Sequence, residues 1–170
     1  MIMAWLLWGA LAIATATSSG APAQVVVRFD GNRALPTAAL QDLVHQLGPA
    51  LSDDDGPERL ALAVTALYFD HGYVMVRIDD PTRASDGALV MHVDEGEQFS
   101  IGKVVVSGTT PRRAERLRAT LRTHAGDIFC RATVAADVHR LSARTHTAVT
   151  PLTRLDTEHH IVDLELAVER

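Results

Sequence analysis

Apolar residues recur along this chain with two different periods, and the order of these periods occurs twice. From residue 25 to residue 30 apolar side chains alternate, which is typical of a strand with one buried face. Two stretches of helical spacing follow, and then two strand-like stretches that are predicted to form a hairpin. From about residue 103 to residue 168 the same order returns. The pattern predicts an α+β protein of two βααββ modules in tandem.

The helices and strands of the first module are predicted from the glycine, proline and asparagine residues that end them and from the spacing of apolar residues. Gly31-Asn32 turns the chain after the first strand, because both residues accept positive φ at little cost. The first helix ends at Gly48-Pro49 and the second at Gly72. A strand over Tyr73 to Asp79 then pairs with a strand over Ala88 to Val93. The helical stripes are Leu40, Leu43, Val44 and Leu47 in one helix, and Leu60, Ala63, Val64, Leu67 and Tyr68 in the other.

Three aspartates, Asp53 to Asp55, precede the second helix. Acidic residues at this place are predicted to satisfy the free amide groups and the positive dipole end of the helix. The alternative is a calcium loop, which would need a glutamate at the twelfth position from Asp53. That position holds Val64, so the helix cap is favoured.

The second module repeats the first at a constant offset. Gly31 and Gly108 lie 77 positions apart, as do Leu40 and Leu117, which predicts a duplicated unit. Pro151 lies in its second strand, so this strand is predicted to be an edge strand or to contain a bulge. The predicted strand and helix positions are Val104 and Val106; Ala114, Leu117 and Leu121; Val134, Val138 and Leu141; and Val162, Leu164, Leu166 and Val168.

The first 23 residues have the layout of a secretory signal. An apolar run from Ala4 to Ala16 leads to Ala21-Pro22-Ala23, and it is too short to span a bilayer. Cleavage is predicted after Ala23. No basic residue precedes the run, which leaves an uncleaved anchor or a wrongly assigned start codon as the alternatives. The expected division is a signal peptide at 1–23 and modules at 24–96 and 97–170.

Charge is divided unevenly between the two modules. Residues 24–96 hold 5 Arg and 12 acidic residues, a balance of −7, and residues 97–170 hold 11 basic and 9 acidic residues, a balance of +2. Several arginines, including Arg112, Arg113 and Arg116, lie on one predicted helix. They form either a solvated face or a basic face toward a membrane surface or an acidic partner. An exported chain of net charge −5 is not expected to bind nucleic acid.

Catalytic chemistry is not indicated. Six of the eight histidines lie on separate predicted elements without ligand spacing, and the adjacent pair His159-His160 would face opposite sides of a strand. Cys130 is the single cysteine, so no internal disulfide forms, and a partly buried thiol is favoured over a reactive one. The chain is expected to be no enzyme, with no cofactor, no metal and no small-molecule substrate.

Several fragments together resemble a known family. They are Phe29-Asp30-Gly31-Asn32, Tyr68-x-x-x-Gly72-Tyr73, Val93-Asp94-Glu95-Gly96 and Ile101-Gly102-Lys103-Val104 with Ser107-Gly108. In this order and spacing they look like POTRA (polypeptide-transport-associated) domains, which precede the β-barrel of outer-membrane protein assembly and secretion factors. The second module departs from the pattern, since Thr145-His146-Thr147-Ala148 stands where Gly-Tyr is expected. The chain is expected to consist of two such domains without the barrel.

The resemblance implies a function and a place in the cell. POTRA domains lie in the periplasm and offer a sheet edge to which unfolded clients or partner subunits add a strand. It implies a mixed three-stranded sheet under two helices in each module, and structural roles for Gly31, Asn32, Gly72, Tyr73 and Gly108. The implied partners are an outer-membrane β-barrel protein or unfolded client polypeptides.

The binding edge is predicted in the second strand of the first module, at Tyr73, Met75, Val76 and Arg77. The alternative is an edge that its charged residues protect and that nothing binds. A proline at Val76 is expected to remove only an edge amide. Two other functions stay open: an interaction module of the septal division type, and the relic of a barrel protein.

Overall fold

The computed structural model describes residues 25–169, so the predicted signal peptide at 1–23 lies outside the described residues. The first module contains β1 Val27–Asp30, α1 Thr37–Leu47, α2 Gly56–Asp70, β2 Arg77–Ile78, β3 Thr82–Arg83 and β4 Leu89–Asp94, with a 3₁₀ turn over Gly48–Ser52. The second contains β5 Ser100–Ser107, α3 Pro111–Arg118, α4 Arg131–Thr145, β6 Val149–Asp156 and β7 Ile161–Val168. The predicted α+β fold of two βααββ modules is confirmed. The second sheet has the three strands that the resemblance implies, whereas the first has four, because its second strand is split into β2 and β3.

In each module the last strand is the central strand of the sheet. β4 pairs in parallel with β1 and antiparallel with β2 and β3. In the same way β7 pairs in parallel with β5 and antiparallel with β6. The second sheet therefore has the order β5-β7-β6, and β6 is an edge strand as its proline predicts.

Each sheet buries one face against its own helices. The first core gathers around Leu40, Leu60 and Tyr68, which are fully buried, and the second around Leu141 and Leu166. Along β7 every second side chain enters the core, as its alternation of apolar and polar residues predicts. The fully buried residues of the two cores lie on either side of residue 96, although the half-buried Val74 of the first module packs against the second core. The boundary itself stays a prediction.

The strand predicted over Tyr73 to Asp79 is wrong in its first half. Residues 73–76 form a turn in which the Val76 amide donates to the carbonyl of Tyr73, at 3.3 Å. The turn places Val74 against the core of the second module. The strand β2 therefore begins only at Arg77 and contains two residues, Arg77–Ile78. A proline at Val76 would remove this turn hydrogen bond and not an edge donor, so that prediction is wrong too.

The capping hydrogen bonds predicted for the aspartates before α2 are also wrong. Asp55 occupies the cap position but its side chain makes no capping hydrogen bond. The carboxylates of Asp53 and Asp55 instead accept from the guanidinium of Arg59, each at 2.9 Å. Arg59 also donates to the carbonyl of Ala50 at 2.7 Å. The acidic residues thus tie α2 to the preceding 3₁₀ turn, because an arginine one turn inside the helix competes for them.

The two modules are joined by direct contacts at the end of α2. The Phe99 amide donates to the carbonyl of Gly72 at 2.8 Å. Asp70 accepts from the Ala132 amide at 2.8 Å and from Arg131 at 3.2 Å, so a carboxylate of the first module satisfies the N-terminus of α4. These bonds, with Val74 in the second core, fix one module against the other.

Two equivalent glycines end the first strand of each module. Gly31 has φ 88° and Gly108 has φ 76°. A Cβ on Gly31 would collide with the carbonyl oxygen of Val93 on β4, and a Cβ on Gly108 would collide with that of Val168 on β7. The central strand therefore comes too close to the turn for any side chain at these positions.

Replacement of Gly108 by alanine is expected to lower the free energy of unfolding by about 3 kcal/mol, because strain at positive φ adds to the displacement of β7. Gly126→Ala is the matched control, since Gly126 also has positive φ, 90°, but nothing lies near its Cβ position. This control is expected to lose about 1 kcal/mol. Urea denaturation measures both, and equal losses would show that the approach to Val168 has no cost.

Candidate functional site

The Gly72-Tyr73 pair ends α2 and belongs to the module junction. Gly72 has φ 86°, and the Tyr73 amide donates to the carbonyl of Tyr68 at 3.0 Å, which satisfies the last turn of the helix. The rings of Tyr68 and Tyr73 meet edge to face with centroids 5.8 Å apart. A Cβ on Gly72 would come within 2.8 Å of Ile128 and 3.0 Å of the Phe99 carbonyl. Gly72 is therefore needed for both the turn and the junction.

The second module ends the corresponding helix without glycine. His146 occupies the left-handed position after α4 with φ 57°, and its amide donates to the carbonyl of Ser142 at 2.9 Å. The second module thus keeps the geometry of the turn although it lacks the Gly-Tyr pair. His146 takes the left-handed conformation that glycine adopts more easily.

Glu95 fastens the loop between β1 and α1. Its carboxylate accepts from the Tyr68 hydroxyl at 2.7 Å and from the amides of Arg33 and Ala34 at 2.8 and 2.9 Å. Burial alone would raise the pKa of Glu95, but these hydrogen bonds outweigh it and lower the pKa. Burial and the Glu95 carboxylate raise the pKa of Tyr68. In the same loop Asn32 donates to the carbonyl of Leu35 at 3.1 Å.

Strand addition requires an edge whose backbone N–H and C=O groups are unpaired and accessible. Two of the four sheet edges in the described chain are obstructed. On β1, the side chain of Gln41 occupies the carbonyl of Val27 at 2.9 Å. At the start of β5, Ile101 donates to the carbonyl of Asp127 and accepts from the amide of Gly126, each at 2.7 Å. A loop therefore covers the edge there.

The edge formed by β2 and β3 is open but broken. The Asp79 amide donates to the carbonyl of His92 in β4 at 3.1 Å. The backbone N–H and C=O of Asp79 therefore point toward β4, and those of Ile78 point away from the sheet. On β3 the bond from Ala84 to Ala88, at 2.8 Å, likewise turns Arg83 outward. The two outward positions are separated by residues 79–82, which include Pro81. This edge offers only two separated points for an added strand.

The edge of β6 is continuous over eight residues. Its orientation follows from the Glu169 amide, which donates to the carbonyl of Ala148 at 2.9 Å. Hydrogen-bonded and non-hydrogen-bonded pairs alternate in an antiparallel ladder. The backbone N–H and C=O groups of even-numbered residues of β6 therefore point toward β7, and those of odd-numbered residues point outward. Pro151 fits this pattern, since it has no N–H to give to β7. The outward backbone positions are Val149, Pro151, Thr153 and Leu155.

Apolar side chains flank this open edge on both faces. Leu155 is 44% exposed on the face toward the helices, and Leu152 is 50% exposed on the opposite face. Beside Leu152 lies a shallow groove of about 360 Å³ that Val105 and Arg154 also line. The site therefore combines free backbone groups with apolar contact area, as strand addition requires.

The residues predicted as the binding edge have other backbone roles. Tyr73 and Val76 use their amides in the turn, Met75 is 39% exposed within it, and Arg77 begins β2. The structure brings none of them to a continuous edge, and a binding role for them stays a prediction. The sequence signal for β6 was Pro151, which predicts an edge but does not say which half of the strand is open.

The basic face lies on α3, the helix that packs against β5. Arg112, Arg113 and Arg116 are exposed, and within residues 25–169 none of them forms a salt bridge. Arg118 is different, because Glu115 binds it at 2.7 Å. Cys130 is partly exposed at the start of α4.

The described residues contain no group of three or more His, Cys, Asp and Glu side chains placed to share a metal ion. None of the helices in this part of the chain has the length and apolar character to cross a bilayer.

Solved structures share this fold over both modules. POTRA domains 3–5 of BamA from Haemophilus influenzae match with a TM-score of 0.62 at 17% identity, over 85% of this chain and 65% of that one. BamA of Haemophilus ducreyi lacking POTRA domains 1–3 matches with a TM-score of 0.65 at 18% identity, over 86% of this chain and 29% of that one. The chain thus spans less than two thirds of either relative. Its fold is that of tandem POTRA domains.

The first module is assigned more closely by its sequence. Residues 25–96 match the family described as POTRA domain, ShlB-type. The predicted resemblance to POTRA domains is confirmed. No curated protein matches the sequence.

Because the folded protein lowers the pKa of Glu95, this carboxylate stabilises the fold above the ordinary glutamate pKa. The stabilisation is lost as the pH falls through the lowered value. Glu95→Gln is expected to cost about 2 kcal/mol at pH 7, and the difference from the wild type should shrink between pH 5 and pH 3. Urea denaturation across this range measures it. The exposed Glu97→Gln is the control, and a pH-independent difference for Glu95→Gln would contradict the assignment.

Proposed function

We propose that this protein is a non-catalytic scaffold of the periplasm that binds extended polypeptide segments by strand addition, in outer-membrane protein assembly or secretion. The clients are unfolded polypeptides or a partner β-barrel protein. One observation carries the proposal: β6 presents an exposed edge over eight residues, whereas β1 and β5 are each obstructed at the edge in part and the edge of β2 and β3 is broken. Binding of this kind needs no chemical step, because main-chain hydrogen bonds supply it.

The fold supports the compartment and the process. Both modules resemble POTRA domains of BamA proteins in fold, and residues 25–96 match the ShlB-type POTRA family. The same resemblance underlies the expected location in the periplasm, at the outer membrane. The predicted export signal at 1–23 agrees with this location.

The geometry of β6 defines how a client would lie. Thr153 and Leu155 each offer an outward N–H and an outward C=O, two residues apart, which is the spacing of an added strand. Pro151 offers only its carbonyl, so the donor row is interrupted toward Val149. Apolar client residues would pack beside Leu152 on one face and beside Leu155 on the other. We therefore place the principal contact at residues 152–156.

Thr153→Pro is expected to weaken client binding at least tenfold while the protein stays folded, because only an outward N–H is lost and Pro151 already shows that β6 tolerates proline. The probe is an outer-membrane β-barrel protein denatured in urea and diluted into the purified scaffold. Binding is measured by fluorescence anisotropy of the labelled probe, and amide chemical shifts of β6 report the contact site.

Three variants make the experiment decisive. Thr153→Val keeps the N–H and should bind like the wild type. Pro151→Thr adds an outward donor and should bind more tightly. Arg154→Pro removes an amide that faces β7 and should unfold the second module. Unchanged binding by folded Thr153→Pro, or chemical-shift changes confined to β2 and β3, would contradict β6 as the site.

A further inference from the structure

Three arginines on α3 have no role in the fold or in the proposed polypeptide site. Arg112, Arg113 and Arg116 are exposed, and within the described residues no carboxylate neutralises them. At 100° per residue they span about 100° of the helix surface. Leu117, the buried residue of α3, is left to face the sheet. The charge is thus concentrated on one outward face of a short helix.

This basic face lies at the end of the molecule that is remote from the first module. β5 starts at the junction, where Phe99 donates to Gly72, and it runs for eight residues before the turn at Gly108. A strand of this length covers roughly 25 Å. α3 begins after that turn, so its first residues lie at the far end of the second sheet.

The distribution of charge makes the molecule strongly dipolar. The first module has a balance of −7 and the second a balance of +2, and the junction contacts hold the two together. A negatively charged surface would repel the first module and attract the basic face. The electrostatics therefore favour one orientation, with α3 toward the surface.

The composition of the face distinguishes a lipid surface from a protein partner. Stable protein interfaces have an apolar or aromatic centre. The large apolar side chains exposed in the described chain lie elsewhere, at Val26, Leu62, Met75, Val105, Ile128, Leu152 and Leu155. Arginines without neighbouring apolar area suit a diffuse layer of anionic headgroups.

We propose that Arg112, Arg113 and Arg116 form a docking surface for anionic phospholipid headgroups, on which the protein stands with its second module toward the bilayer. The contact is electrostatic and reversible, so it weakens as salt screens it. It is independent of strand addition at β6, since it uses another element and another kind of ligand.

The test is co-sedimentation of the purified protein with vesicles of phosphatidylcholine containing about a third phosphatidylglycerol, at low and at physiological salt. Each arginine is expected to contribute about fivefold to the partition coefficient. The triple variant Arg112→Gln, Arg113→Gln, Arg116→Gln should therefore bind on the order of a hundredfold more weakly. Pure phosphatidylcholine vesicles control for adsorption through the apolar segment at residues 4–16.

A charge-matched triple variant separates the local face from net charge. Arg33→Gln, Arg83→Gln, Arg144→Gln removes the same charge from exposed positions elsewhere and should bind nearly as the wild type does. An equal loss in both triple variants, or equal binding to neutral vesicles, would overturn the proposal. Retention on immobilised polyglutamate without vesicle binding would also overturn it, in favour of an acidic protein partner.

Discussion

The end of α2 at Gly72 is the constraint on which the arrangement of this protein depends. A left-handed turn closes the helix, and the absence of a side chain lets Phe99 and Ile128 approach the backbone. The turn also carries Val74 into the neighbouring core. One short segment therefore ends a helix, joins two cores and delays the following strand. The edge strand β2 is short because residues 73–76, which precede it, form the turn at the junction.

The sequence predicted the features that local chemistry determines. Alternation along β7 and the helical stripes of α2 and α4 were sufficient to locate these elements and their core residues. The period of the apolar residues shows which face of a helix or strand is buried. The offset between Gly31 and Gly108 marked equivalent turns. The errors arose where tertiary contacts decide. Asp53 and Asp55 have the sequence position of helix caps, but Arg59 binds their carboxylates. Residues 73–76 have the sequence pattern of a strand, but Val74 packs against the second module and the segment forms a turn.

The choice of edge could not have been made from the pattern alone. β2 and β6 are both expected to be edge strands, but openness depends on what other elements place beside each edge. Gln41 obstructs β1 from a helix, and residues 126–128 cover β5 from a loop distant in sequence. The inward or outward direction of each amide in β6 needs the register with β7. A period of two assigns side chains to faces, but it carries no information on which backbone groups remain unpaired.

The interruption of the donor row at Pro151 limits how long a bound segment would stay. Thr153 and Leu155 provide at most four main-chain hydrogen bonds, and each contributes about 1 kcal/mol net. Even with the apolar contacts of Leu152 and Leu155, this corresponds to dissociation constants of roughly micromolar to millimolar. Since affinity within one kind of interface varies mainly through the off-rate, residence times would be short. Such an edge suits a protein that passes segments on, because release needs no source of energy beyond thermal motion.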